Sequence, residues 1–160
     1  MTSRSVVASF FASWRVQDVE LAVEHFHEDI VYELHVHTPE QPFSRMRRGK
    51  EACREGLFSI LKDFDYLKYE PTINSINGNV VRAGVVFKYR HRATGEILEG
   101  TRRLVFELKD GLIIRIDGFH DARLVAAFMR LTEHRLATNQ IVTPPVLPQR
   151  RQPEDSGAGN

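Results

Sequence analysis

The sequence predicts an α+β domain in which a cone-shaped, curved antiparallel sheet is preceded by helices and closed by one more. Three observations carry this. Apolar residues recur at helical spacing near the N-terminus and again near residue 125. The turn dipeptides Asn77-Gly78, Thr94-Gly95 and Asp110-Gly111 cut residues 66–120 into strand-length pieces. The connections between those pieces are short, so neighbouring strands must run antiparallel.

Composition sets the outer limits. A chain of 160 residues, 42% hydrophobic, is one domain with a real core. Lys and Arg total 22 against 21 Asp and Glu, a net charge of +1. So even a balance argues against a nucleic-acid or membrane-surface partner. No apolar run approaches the ~20 residues of a membrane span. The N-terminus lacks the layout of a secretory signal. The one cysteine, Cys53, permits no internal disulfide and no cysteine zinc cluster. The expectation is a soluble, cytoplasmic protein.

Each element has its own reason. Val7, Phe10, Phe11 and Trp14 share one face of a helix over 4–15. Asp18 can cap a second helix with Ala22, Val23 and Phe26 on one face. Residues 30–37, IVYELHVH, alternate and read as a strand. A loop with Pro39 and Pro42 follows, ending in Arg45, Arg47 and Arg48. Gly49 opens a third helix, 50–63. Strands then fall at about 66–76, 80–91, 97–108 and 112–120. Asp121 can cap a last helix that buries Leu124, Val125, Phe128 and Leu131. Four of the seven prolines lie beyond residue 142. We therefore expect a folded domain over 1–142 and a disordered Pro-rich tail over 143–160. The element order is α-α-β-α-β-β-β-β-α.

Three stretches carry a family resemblance: FFASWRVQDVELAVEHFHEDIVYE (10–33), Gly49-Lys50-Glu51, and RRLVFELKDGLIIRIDGFHDARLVAAFMRL (102–131). Together they resemble the nuclear-transport-factor-2-like (cystatin-like) superfamily, which includes ketosteroid isomerase, limonene epoxide hydrolase and the SnoaL-like polyketide cyclases. The resemblance implies a cone with a ligand site inside it and a homodimer formed through the outer sheet face. It does not by itself imply one chemistry. Laid on this chain, the isomerase's tyrosine and two aspartates fall at Phe10, Leu34 and Leu104. The epoxide hydrolase's residues fall at Gly118 and near Val85 and Phe87. All six positions are apolar or glycine here, so neither catalytic set is present.

Those positions also fix which residues face inward, because strand side chains alternate. Leu34 brings Tyr32 and Val36. Leu104 brings Arg102 and Phe106. Gly118 brings Ile116 and His120, and Val85 and Phe87 bring Ala83 and Tyr89. The cone is then mostly apolar, with Tyr32, Tyr89, Arg102 and His120 as its polar members. The third helix is expected near the mouth; Trp14, on the apolar stripe of the first helix, reads as a core residue, with a ligand-stacking lid at the mouth as the alternative.

Arg102 and His120 are the expected catalytic pair. The hairpin at Asp110-Gly111 puts Arg102 roughly opposite Gly118 and diagonal to His120. Arg102 can hold a carboxylate, phenolate or enolate, and His120 can move a proton near neutral pH. The structural alternative pairs Arg102 with a rim carboxylate and leaves His120 a satisfied core histidine. His35-x-His37 with Glu40 weakly suggests a metal, but parity turns both histidines away from the cone. The basic loop at Arg45–Arg48 can attract an acidic substrate or be simply solvated. Cys53 reads as a core residue.

The function expected is that of a small-molecule protein taking an apolar ligand in the cone. It would be a cofactor-free isomerase, cyclase, dehydratase or hydrolase without a metal, with His120 moving the proton and Arg102 stabilising the anion. The alternatives are a non-catalytic carrier using the same cone and a dimerisation domain with the cone plugged.

Overall fold

The computed structural model describes residues 2–36 and 43–142, with side chains placed over 2–36 and 45–134. The expected tail, His37, Pro39, Glu40 and Pro42 lie outside the described residues. Ten elements follow in order: α1 (Ser3–Arg15), α2 (Val19–Val23), β1 (Phe26–Val36), β2 (Phe43–Arg48), α3 (Lys50–Asp63), β3 (Phe64–Asn77), β4 (Val80–His91), β5 (Ile97–Lys109), β6 (Leu112–Phe119) and α4 (Ala122–Val142). The strands form one curved sheet in the order β2-β1-β6-β5-β4-β3. All neighbours are antiparallel except β1 and β6, which run parallel.

The helix starts are set by short polar side chains. Thr2 accepts from the Ser5 amide at 3.2 Å, and Asp18 accepts from the Leu21 amide at 3.0 Å. Asp121 accepts from the Arg123 amide at 2.8 Å at the start of α4, as its sequence position suggested. Turn glycines adopt the left-handed conformation their dipeptides require, with φ of 61° at Gly78 and 76° at Gly111.

Two readings of the chain are corrected. Phe26 does not belong to the second helix; it starts β1. The helix is a single turn, and the His25 carbonyl beyond it accepts from the Ile113 amide of β6 at 2.8 Å. That sheet contact ends the helix early. The segment carrying Arg45, Arg47 and Arg48 is not a loop but β2, paired with β1 through Tyr32↔Arg47 and Leu34↔Arg45. Its polar residues gave no local strand signal. Pairing with β1 creates the strand, and charge on an edge strand discourages further pairing.

The core lies between α1 and the concave sheet face. Phe10 and Phe11 of α1 pack their rings 5.8 and 5.4 Å from Phe106. Full burial of such a ring stabilises by roughly 1.5–3 kcal/mol. Trp14 is a core residue, as its place on the apolar stripe of the first helix suggested, and not a lid; it is 2% exposed and stands edge-on to Tyr66 at 5.5 Å. Cys53 is buried, as expected.

Candidate small-molecule site in the cone

Alternation places the cone residues as the sequence indicated. Ala83, Val85, Phe87, Tyr89, Leu104, Phe106, Ile116 and Gly118 are all buried. Leu34 pairs with Gly118, which also pairs with Leu104. A methyl group on Gly118 would stand 3.3 Å from the Tyr32 hydroxyl and 3.5 Å from Leu104. The absence of a side chain there lets the Tyr32 hydroxyl enter the sheet's inner face.

Arg102 and His120 meet more directly than the sequence suggested. β5 and β6 run in register as Arg103↔Phe119 and Leu104↔Gly118, which sets Arg102 across from His120 and not across from Gly118. A bulge between Glu107 and Leu108 shifts the ladder past the simple hairpin count. Arg102 Nη1 lies 3.4 Å from His120 Nε2. A guanidinium only donates, so Nε2 is the acceptor and the imidazole proton sits on Nδ1. Burial and the charge of Arg102 push the His120 pKa down to about 3. The ring is therefore neutral near pH 7 and presents Nδ1–H as a donor. Titration near neutral pH, on which the proton-moving role rested, is not what this environment gives.

Two further residues of the site escaped the sequence reading. Tyr66 and Tyr69 are three positions apart, and simple alternation sends them to opposite faces. A register shift between Tyr66 and Lys68 restores both to the inner face, as Tyr66↔Tyr89 and Tyr69↔Phe87. Only the bulge reveals this, and nothing in the local sequence marks it. All four tyrosines of the chain, Tyr32, Tyr66, Tyr69 and Tyr89, thus surround Arg102. Three of these rings stack in series, Tyr69 on Tyr66 at 5.7 Å and Tyr66 on Tyr89 at 4.2 Å, and Phe87 continues the stack on Tyr89 at 4.6 Å. Burial raises the phenol pKa of Tyr66, Tyr69 and Tyr89, which keeps them neutral hydrogen-bond donors.

The hydrogen-bond inventory of this cluster does not close. Arg102 Nε and His120 Nδ1 are buried without an acceptor, and the Tyr69 and Tyr89 hydroxyls make only loose contacts, with Arg102 and Tyr66. Among the described residues, no carboxylate lies within ion-pair distance of Arg102, so the rim pairing considered above is not found there. Native proteins rarely leave such groups unmet. α4 covers the cluster: Phe128 sits 6.4 Å from His120 and 4.9 Å from Phe64. Gly100 makes room for Leu124, whose Cδ1 would be 3.0 Å from a Cβ at that position. Two hollows on the described surface lie outside the cone. One is lined by Glu55, Phe58, Ser59 and Lys62, the other by residues of α2, β1 and α3 including Glu20, Glu51 and Arg54.

The outer sheet face carries a separate charged network. His35 Nε2 lies 2.7 Å from Asp117 Oδ1, and Arg115 bridges Glu33 and Asp117. Burial would raise the Asp117 carboxyl, but its bonds to Arg115 and His35 hold it below the usual range. Glu33, His35 and Asp117 bring three possible metal ligands together. Arg115 already supplies positive charge between the two carboxylates. His35 thus faces away from the cone, as parity indicated. The Arg47 side chain lies against Gly56 of α3, where it donates to the Ala52 carbonyl at 3.3 Å.

Comparison with known proteins agrees with this architecture. A SnoaL-like polyketide cyclase candidate from Mesorhizobium loti is 20% identical, with 75% of this chain and 100% of that chain covered at a TM-score of 0.62. A candidate isomerase from Bacillus subtilis is 22% identical, covering 77% and 88% at 0.65. An NTF2-like protein from Burkholderia xenovorans LB400 is 18% identical, covering 78% and 93% at 0.65. Identities this low speak for the fold alone. No curated protein matches the chain. Among the described residues, no helix is long and apolar enough to cross a membrane. The SnoaL-like domain model matches residues 7–116, and the chain belongs to that family.

Proposed function

We propose that the cone binds a small, largely apolar molecule and seats its one polar end against Arg102 and His120. The observation that carries this reading is a buried guanidinium ringed by phenols, with its Nε and the neighbouring His120 Nδ1 both lacking an acceptor. Apolar walls supply affinity and a few fixed polar groups supply orientation. Entry requires the Phe128 ring to move aside, since it covers His120 and Tyr89.

A carrier or sensor needs only these donors. An acid–base enzyme also needs a group that exchanges protons near neutral pH, and His120 at about 3 is poorly matched to that task. The binding role is therefore the better supported. The cyclase and isomerase names of the structural relatives keep a second reading in view. In it, Arg102 and the phenols stabilise an enolate or similar oxyanion while the substrate or water provides the base.

Titration of full-length, 15N-labelled protein with small apolar molecules tests the binding reading. Amide shifts should converge on Phe87, Tyr89, Leu104 and Gly118. Shifts confined to the α2 and α3 hollows, or none, would favour a plugged cone. We also propose that two copies pair through the outer sheet face. There Phe119 stacks on His35 at 4.9 Å and lies under Arg103 at 5.6 Å. Sedimentation velocity should give twice the 18.4 kDa chain mass, and Phe119→Glu should give a monomer. A monomeric native chain would contradict the pairing.

A further inference from the structure

We propose that the polar end of the ligand is a carboxylate, gripped side-on by the Nε–Nη2 edge of Arg102. This rests on the reading of the cone as a small-molecule site and specifies the class of molecule that fills it. A guanidinium offers its five N–H groups in a fixed fork. Nη1 is turned toward His120. Nε, away from that contact, is shut off from solvent without a well-formed hydrogen bond, and the Tyr69 hydroxyl stands beside the guanidinium. The free edge is therefore the one whose two parallel N–H bonds match the two oxygens of a carboxylate.

Charge points the same way. A buried cation is costly unless paired, and the described residues offer Arg102 no acidic partner. One bound monoanion balances it. A doubly charged phosphate would overshoot a single guanidinium. A phenolate or enolate oxygen would engage the fork at one atom and leave the second N–H less well met. A carboxylate also has lone pairs to spare after the bidentate contact. The Tyr69 and Tyr89 oxygens face Arg102 and Tyr66 as acceptors and keep their own protons, and these protons and the His120 Nδ1–H can donate to those lone pairs. Stacked Phe87, Tyr89 and Tyr66 around this point favour a carboxylate borne on an aromatic body.

Calorimetry with full-length protein tests this using benzoate and its neutral counterpart benzamide. Benzoate should bind about 10- to 100-fold more tightly, as expected for hydrogen bonds to a charged group. Arg102→Gln should remove that advantage while leaving benzamide nearly unaffected. Arg102→Lys, which keeps the charge and loses the fork, should restore little of it. Tyr89→Phe removes one oxygen and no volume, so it tests the site without an arginine change. It should weaken benzoate and spare benzamide. Equal binding of the two probes, with cone amides shifting for both, would overturn the carboxylate and leave the small-molecule site standing. Failure of benzoate to bind in a protein that accepts neutral apolar molecules would also overturn it. Failure of every probe would overturn both.

Discussion

Arg102 and His120 stand across from each other on adjacent strands, and each determines the state of the other. The guanidinium makes Nε2 the acceptor and keeps the imidazole uncharged. With a folded pKa of about 3 and an unfolded value near 6.5, His120 binds a proton in the unfolded chain before it does in the native one. Stability should therefore fall as pH drops from about 6.5, by up to about 1.4 kcal/mol per unit. The Asp65 and Asp117 carboxyls are held low by arginines and respond only at more acidic pH. Urea denaturation between about pH 6.5 and 5.5 stays above the range in which the Glu96 carboxyl, held low by Arg130, responds, and His120→Gln should flatten the slope there. An unchanged slope would mean the imidazole is not held neutral. Arg102→Met should leave the melting temperature equal or higher, because it removes a buried charge with no acidic partner among the described residues. A marked loss of stability would make Arg102 a structural residue. Both residues were legible in the sequence because hairpin arithmetic and alternation put them on the inner face. Tyr66 and Tyr69 were not, because a one-residue bulge changes parity without a compositional mark.

At the scale of elements, most of the chain reads locally. Turn dipeptides delimit β3 to β6, and Thr2, Asp18 and Asp121 start their helices. What does not read locally is what depends on a distant partner. β2 exists because β1 pairs with it, and the parallel β1–β6 contact joins segments some eighty residues apart. Gly56 shows the same dependence. Inside α3 a glycine costs about 1 kcal/mol relative to alanine. A Cβ there would lie 2.8 Å from Arg47 Nε, so the glycine is kept for β2's side chain and not for the helix. Gly56→Ala should therefore return less than that helix gain in the native chain, because the end of the Arg47 side chain must shift to admit the methyl. In an Arg47→Ala background it should instead stabilise by about 1 kcal/mol. Additive effects in that denaturation cycle would show that Arg47 does not account for the glycine. α4 makes a comparable statement about access. Phe128→Leu should speed ligand association in stopped-flow measurements, and an unchanged rate would place the entry elsewhere.

The whole molecule is a curved sheet filled at one end by the rings of α1 and holding a lone guanidinium further along. The fold was legible because helix spacing, turns and the family's sequence pattern all agreed. The chemistry was less so. The apolar residues at Phe10, Leu34 and Leu104 leave no place for the isomerase's acid–base set, but residue types alone do not show that Arg102 has no acidic partner among the described residues. That requires the three-dimensional neighbourhood. Arginine side-chain NMR on full-length, 15N-arginine-labelled protein reads that neighbourhood most directly. The account predicts one Nε–H signal protected from solvent exchange, assigned by its loss in Arg102→Gln, that moves downfield as benzoate is added and not as benzamide is added. A protected signal that ignores benzoate at saturation, or an Arg102 Nε–H that exchanges freely with water, would contradict it.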